Sequence, residues 1–569
     1  MKFEYRYYGE TTATHTDKAS AVSFAPDTLR APAYFVGQLR QTLAFREAMG
    51  ALHQVVVSDL RVRGRDATAY KAWLEANESA LLARYMAEAQ DLKAQAASLH
   101  KELSTVRASK QSVLRPFYDA RQKYFNWLYN ANRDLWYVLD PVITIHPDRV
   151  LFEAFSQDES AYCSVSVSRN LFDHIGETAC GTTNIDYSAA LADEFQRLRD
   201  YKTTTLAIDP SGFAVTTADD PAFKEEKIDV PDTWVRGFLQ VTSAMTLPAT
   251  AITLHPMDLH NLCAVLRQKK ERVGPRSIRF ELTPGQPVKL VLEPWGIEII
   301  CRRTPYAGAT AQTVRLWGRR RLLVLERLIA VAESVTVYLS SNGMPSFWVV
   351  ALPEIVVTLG LSGWTSNDWS QAGRFDLLGP RHHVAEDSKQ RVFAALGRHW
   401  LASADQLARD TGLDRPTVEA ALTLWVQAGR VVYDLPRQCY ALRELSREPL
   451  PLETLRFQSA EEDAAAKLVQ AGKAKLGAVT RNDKGQLSIS GAVTEGKNQY
   501  APQLTLDGDE RMIAGVCSCN FYQQNKLRKG PCPHLLALRL VAQPWLNDQR
   551  SDRRSEQNSQ QRAAEASPS

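Results

Sequence analysis

Two short spacings near the end of the chain constrain its fold more than any other feature: Cys517-Ser518-Cys519 and, after a basic spacer, Cys532-Pro533-His534. Two thiolates one residue apart, then a Cys and a His one residue apart, are soft and borderline donors that can close around one tetrahedral Zn2+. Cys517, Cys519, Cys532 and His534 are therefore the expected metal ligands. Met512, Ile513 and Val516 lead into the first pair as a strand, and Leu535, Leu536, Leu538 and Leu540 follow His534 as a helix. All four positions of such a site belong to the protein, which leaves none for an activated water, so the ion is expected to be structural. It would supply folding energy to a segment with little core of its own, on the order of 10 kcal/mol or more in isolated zinc peptides.

With its ligand spacings, its leading strand and its following helix, the stretch resembles the SWIM-type zinc finger over roughly Phe457 to Val541, with no departure at the ligand positions. SWIM fingers occur in bacterial Swi/Snf-type helicases, Mutator-type transposases and recombination accessory proteins, as DNA- or protein-binding modules. Helicase and transposase signatures are both missing here. The layout, a long front half without catalytic motifs and a finger at the C-terminal end, is similar to that of stand-alone bacterial SWIM proteins, commonly encoded beside MoxR-type AAA-plus ATPases and von Willebrand factor A proteins. The resemblance implies a zinc-binding, non-catalytic adaptor with such a protein as partner; its alternative is a DNA-binding protein. Between the ligand pairs, Lys526, Arg528 and Lys529 stand near Phe521 and Tyr522. That mixture suits a grip on phosphates or bases and is equally what a solvated loop shows.

A formal charge of +4 over 569 residues gives no chain-wide basic field, so any nucleic-acid contact has to be a local patch. Arg319, Arg320 and Arg321 form one candidate, at a helix start where the dipole offers cations nothing. The chain opens on Lys2, Phe3, Glu4, Tyr5 and Arg6 rather than an apolar run, and no stretch is long enough to span a bilayer, so a cytoplasmic protein is expected. Cys163, Cys180, Cys263, Cys301 and Cys439 lack paired spacing and read as free thiols.

The expected fold is α+β and multidomain. Residues 1–140 read as a helical region, with a helix from Pro32 and a coiled-coil-like heptad stripe from Leu82 to Val113. Residues 141–245 read as a mixed α+β region. Residues 246–380 hold a duplicated strand-helix-three-strand (βαβββ) unit, in which Ser277–Leu282 falls on Ser334–Leu339 without a gap. In outline this order looks like the subdomains of DNA sliding clamps. Residues 386–445 resemble a winged helix, with Ser403 and Asp414 as caps and a nearly neutral outer face of Arg415, Thr417, Glu419, Thr423 and Gln427 on the third helix. The finger domain occupies 455–545, and 547–569, without apolar periodicity, reads as a disordered tail. No phosphate-binding glycine loop, zinc-protease motif, nucleophile elbow or dinucleotide fingerprint is present, so no enzyme is expected.

Overall fold

The computed structural model describes residues 12–15, 19–24, 33–58, 141–184, 195–208, 232–269, 276–341, 343–363, 368–370, 373–380, 383–445, 460–483 and 485–565. The expected heptad stripe of residues 82–113 lies outside them. The described chain is a mixture of helices and several antiparallel sheets.

The front of the chain departs from the helical expectation. Strands β1 (Thr12–His15), β2 (Ala19–Phe24) and β3 (Phe35–Leu39) precede helix α1 (Thr42–Val56), so the helix expected from Pro32 starts only at Thr42. Phe-Val-Gly-Gln-Leu alternates buried and less buried positions, the period of a strand, and Gly37 lets the rings of Phe35 and Phe172 close over it. In α1 the apolar positions Ala44, Phe45, Ala48, Met49, Leu52 and Val55 recur at helical spacing and are all buried.

Strands β4 (Val142–Ile145), β5 (Arg149–Phe155), β6 (Ala161–Ser168), β7 (Phe172–Asp173), β8 (Gly181–Asn184) and β9 (Thr203–Ile208) follow, then helix α2 (Asp232–Met245). The repeat then unfolds element by element. Its first copy is β10 (Thr250–Leu254), α3 (Pro256–Gln268), β11 (Ile278–Leu282), β12 (Pro287–Leu292) and β13 (Ile297–Pro305). Its second is β14 (Gln312–Leu316), a 3₁₀-helix (Arg319–Leu328), β15 (Ser334–Leu339), β16 (Ser346–Leu352) and β17 (Ile355–Leu361). The second copy's helix is thus a 3₁₀-helix rather than an α-helix. Leu322, Leu325 and Leu328, spaced by three and wholly buried, line one edge of the tighter three-residue turn.

The two copies exchange their first strands. β10 pairs with β15 of the second copy, Ile252 opposite Val337, while β14 pairs with β11 of the first, Phe280 opposite Val314. The boundary expected at 245/246 does not divide the chain into separate bodies, because one sheet runs β10-β15-β16-β17-β6-β5-β4-β8, joined at the antiparallel pair β17 and β6. Its one face carries Val150, Phe152, Val165, Val167, Ile355 and Val357, all fully buried.

Residues 386–445 form α4 (Glu386–His399), β18 (Leu401–Ala402), α5 (Ala404–Thr411), α6 (Arg415–Gln427), β19 (Val431–Asp434) and β20 (Cys439–Leu442). Both expected caps are in place: Ser403 accepts from the Gln406 N–H at 3.2 Å and Asp414 from the Thr417 N–H at 3.3 Å. Phe393 stacks on Trp425 at 4.2 Å inside a core of its own. The outer face expected of α6 is only partly open, with Thr417, Thr423 and Gln427 half-buried. Of its expected residues only Arg415 is exposed, and Glu419 is 2% exposed, accepting from the Tyr440 hydroxyl at 2.5 Å.

The C-terminal domain consists of α7 (Ala460–Gln470), β21 (Ala474–Arg481), β22 (Leu487–Glu495), β23 (Asn498–Tyr500), β24 (Gln503–Leu506), β25 (Met512–Val516), α8 (Asn520–Asn525) and α9 (Pro533–Glu565). Leu536 and Ala537 of α9 pack with Ala465, Leu468 and Val493 and with Leu377 from the preceding linker. Arg539 donates to the carbonyls of Gly379 at 2.8 Å and Glu510 at 2.6 Å, tying that linker to α9. The helix continues to Glu565 where a disordered tail was expected. Gln, Arg, Glu and Ala are good helix formers, and the packed turns before them remove the cost of nucleation.

Candidate metal centre

Each expected ligand is placed by an element whose own sequence explains it. Strand β25 ends at Val516 and delivers Cys517, while Cys519 caps α8, its Sγ accepting from the Tyr522 N–H at 3.4 Å. The Tyr522 hydroxyl donates to the Gly515 carbonyl, and Gln523 Nε2 donates to the Cys517 carbonyl at 3.0 Å, so α8 is fastened back onto the strand. The return loop turns at Lys526 and Gly530, whose φ angles are +52° and +92°. At Gly530 a side chain would collide with Arg374, its Cβ 2.7 Å from that of Arg374. Cys532 then precedes α9, its backbone carbonyl accepting from the Leu536 N–H at 3.1 Å, and His534 sits in the first turn.

The four donor atoms lie within 4.8 Å of one another and all four residues are buried. Four ligands around Zn2+ with sulfur at ~2.3 Å stand ~3.8 Å apart, so the cluster has the dimensions of one tetrahedral site. His534 Nδ1 is 3.8 Å from Cys517 Sγ, and Nε2 faces outward to Glu495 Oε2 at 3.2 Å. The Tyr500 ring lies on the imidazole at 4.1 Å between centroids. A carboxylate on the far nitrogen fixes ring orientation and leaves the near nitrogen's lone pair for a metal. Hydrogen bonding from Cys532 pulls the Cys517 thiol down to about 4, while burial pushes Cys519 up. The residues present therefore fit a zinc ion: one ready thiolate, two further thiols that a dication would deprotonate, and an oriented imidazole. The expected ligands come together as one cluster.

The expected contact residues do not come together. Lys526 and Lys529 are exposed, but Lys526 Nζ rests on Gln523 at 3.3 Å and over the Tyr522 ring at 5.1 Å. Arg528 is half-buried, its stem crossing Gly343 and its Nε donating to the Asn525 carbonyl at 3.1 Å. In the arginine cluster, Arg319 is 2% exposed and donates to the carbonyls of Ser277 and Glu293 beneath the Trp295 ring. Arg321 is buried in an ion pair with Asp158 at 3.0 Å. Only Arg320 of the three is exposed.

Sequence reasoning missed Glu495, Tyr500 and the ion pairs joining α6 to the C-terminal domain. There Arg511 reaches Glu419 at 2.9 Å and Asp509 at 2.9 Å, and Arg415 reaches Asp509 at 3.0 Å. Burial pushes the Glu419 carboxyl up while Arg511 draws it down.

Among the described residues no helix is long and apolar enough to cross a membrane. No family model and no curated protein matches the chain. Among solved structures, the chain is similar to proliferating cellular nuclear antigen from Entamoeba histolytica, with 13% identity and a TM-score of 0.28 over 39% of this chain and 89% of that one. The same antigen from Thermococcus kodakaraensis gives 13% identity and 0.28 over 39% and 90%, and that from A. fulgidus 13% and 0.28 over 41% and 91%. Likeness of that degree decides nothing about the chain.

Proposed function

We propose that this chain is a zinc-binding, non-catalytic adaptor that works through protein contacts. In this reading Cys517, Cys519, Cys532 and His534 form a structural SWIM-type finger, and residues 386–445 are a winged-helix-like module. The observation that carries it is the inward orientation of the surfaces a nucleic-acid reader would present. Glu419 on α6 is paired with Arg511, and Arg319 and Arg321 are bonded to the chain's own groups. A recognition helix with a buried, ion-paired acid at the middle of its expected reading face presents little to a groove, and buried guanidinium groups neutralise no phosphates. The resemblance to stand-alone bacterial SWIM proteins names the partner class: a MoxR-type AAA-plus ATPase or a von Willebrand factor A protein. The zinc ion supplies folding energy, and the chain's own residues hold it and dock the finger on the linker through Arg539.

The exposed Lys526 and Lys529 favour a second reading, a DNA-binding protein whose finger loop grips the backbone. One experiment separates the two. Zinc-loaded protein is recovered from native lysate under mild salt, and its binding to DNA duplexes is titrated against salt. Stoichiometric recovery of an AAA-plus ATPase or von Willebrand factor A protein, with no DNA binding at low salt, is the expected result. Recovery of nucleic acid alone would overturn the adaptor, provided the log-log salt slope flattens by roughly 0.7 to 0.9 per cation when Lys526, Arg528 and Lys529 become Ala.

A further inference from the structure

The turn 507–511, between β24 and β25, is where the C-terminal domain covers α6. Its shape is fixed from within: Asp507 Oδ1 accepts from the Asp509 and Arg511 N–H groups at 3.0 and 2.9 Å, and Glu510 holds φ at +63°. A side chain other than glycine is strained there, so the turn keeps that backbone only while its surroundings impose it. From the turn, Arg511 reaches Glu419 in the middle of α6 at 2.9 Å, and Asp509 meets Arg415 at the start of that helix at 3.0 Å. These contacts are ionic. Among the described residues, the core of the winged-helix-like module contains no side chain of the C-terminal domain. The module is held on the large sheet by other means: Val432 and Ala441 pack on Leu151, and Arg443 pairs with Glu153 at 3.1 Å.

Both elements that carry the expected ligands lead back to this turn. β25 runs from Arg511 to Cys517, about 20 Å of strand at ~3.3 Å per residue. α9 brings His534 in its first turn and then Arg539, buried, which donates to the Glu510 carbonyl at 2.6 Å and to the linker carbonyls of Leu377 and Gly379 at 3.3 and 2.8 Å. The chain thus makes a circuit from the turn along β25 to the ligand cluster and back along α9 to the turn, with the four ligands joining strand to helix. A ligand that binds one folded arrangement stabilises every contact that arrangement requires, and by reciprocity those contacts tighten the ligand. Glu419 is 2% exposed beneath Arg511, so what the circuit holds shut is the middle of α6.

We propose that occupancy of the metal centre governs a cover over α6: with the ion bound, the turn 507–511 is held on Glu419, and with the ion removed the turn lifts away while the winged-helix-like module stays folded on the large sheet. This rests on the reading of the four ligands as a zinc site. The test uses the full-length protein. Zinc affinity, measured by competition with a chelator of known affinity, should fall at least fivefold in Glu419→Gln and in Arg511→Gln. Glu419 belongs to a different module from the ligands, so a loss there is not local damage to the finger; should Arg511→Gln fail to fold by circular dichroism, Glu419→Gln decides. In the wild type, stripping the zinc should speed amide hydrogen exchange at least tenfold over residues 418–423 of α6 and leave residues 392–396 of α4 unchanged. A smaller fall in affinity in folded Glu419→Gln, unchanged exchange in α6, or equal acceleration in α4 overturns the proposal. Metal content measured beforehand separates the two failures: a wild type without stoichiometric zinc sinks the zinc reading and this proposal together, whereas any of the other outcomes with zinc in place sinks the cover alone.

Discussion

His146 is wholly buried at the β4–β5 turn, edge-on to Trp400 at 5.9 Å, and neither ring nitrogen has a hydrogen-bond partner among the described residues. Burial lowers its pKa from 6.5 to about 3; Arg149, Arg437 and Arg169 add to the depression and Asp148 opposes it. The unfolded chain therefore binds a proton that the folded chain refuses throughout that window, and stability falls as the pH is lowered from 6.5 toward 3. Taking those two values, the imidazole removes about 2 kcal/mol between about pH 7 and about pH 5, and about 4 kcal/mol by about pH 3. His146→Phe keeps a ring against Trp400 and cannot be protonated. Urea unfolding followed by tryptophan fluorescence at both pH values, in wild type and variant, reads the difference directly. Other acid-sensitive groups, the metal centre included, are common to both proteins and cancel. The variant should lose about 2 kcal/mol less than the wild type on acidification to about pH 5. Equal losses in the two proteins would refute a buried neutral imidazole at this position.

Three further perturbations test the C-terminal half. Cys517→Ala or His534→Ala should abolish stoichiometric zinc, measured by a chromophoric chelator, and open the segment from β21 to α9 to proteolysis while residues before Glu386 stay resistant. Glu495→Ala should weaken zinc roughly 10- to 100-fold with Glu495→Gln recovering some of the loss, in competition with a chelator of known affinity; unchanged affinity would remove Glu495 from the site. Arg511→Ala leaves Glu419 buried without its nearest cation and should cost about 3–5 kcal/mol in denaturant unfolding, whereas a loss under about 1 kcal/mol would mean that the ion pair between α6 and the C-terminal domain contributes little.

The middle of the chain was legible because its cues are local. Period-two runs such as Ser334–Leu339 and the glycine turns at Gly285 and Gly343, with φ +73° at each, mark strand ends within a few residues. Strand partners were not legible, since the exchange of β10 and β14 is settled by packing far along the chain. Arg319 is the instructive miss. Read as an α-helix start it belongs to a charged cluster; read at a three-residue period it falls in line with Leu322, Leu325 and Leu328, on the buried edge. The ligands were legible because spacing alone carries them. Glu495 was not, because a hairpin turn next to a histidine is a matter of register between β22 and α9.

The strand exchange between the repeats also governs where the chain tolerates cutting. A fragment spanning 246–380 retains both copies and so both exchanged strands, but it loses β6, the partner of β17. It would then offer Ile355–Leu361, seven residues of which all but Val356 are buried, as an open apolar edge. Such an edge recruits another like itself. A single repeat fares worse, since each lacks the strand its neighbour lends, and two separately expressed halves would find one another through those missing strands. Dissection of this protein therefore calls for cuts outside the stretch from β4 to β17, which holds both sheets the repeats build, and complementation between co-expressed halves becomes a direct assay for the exchanged topology.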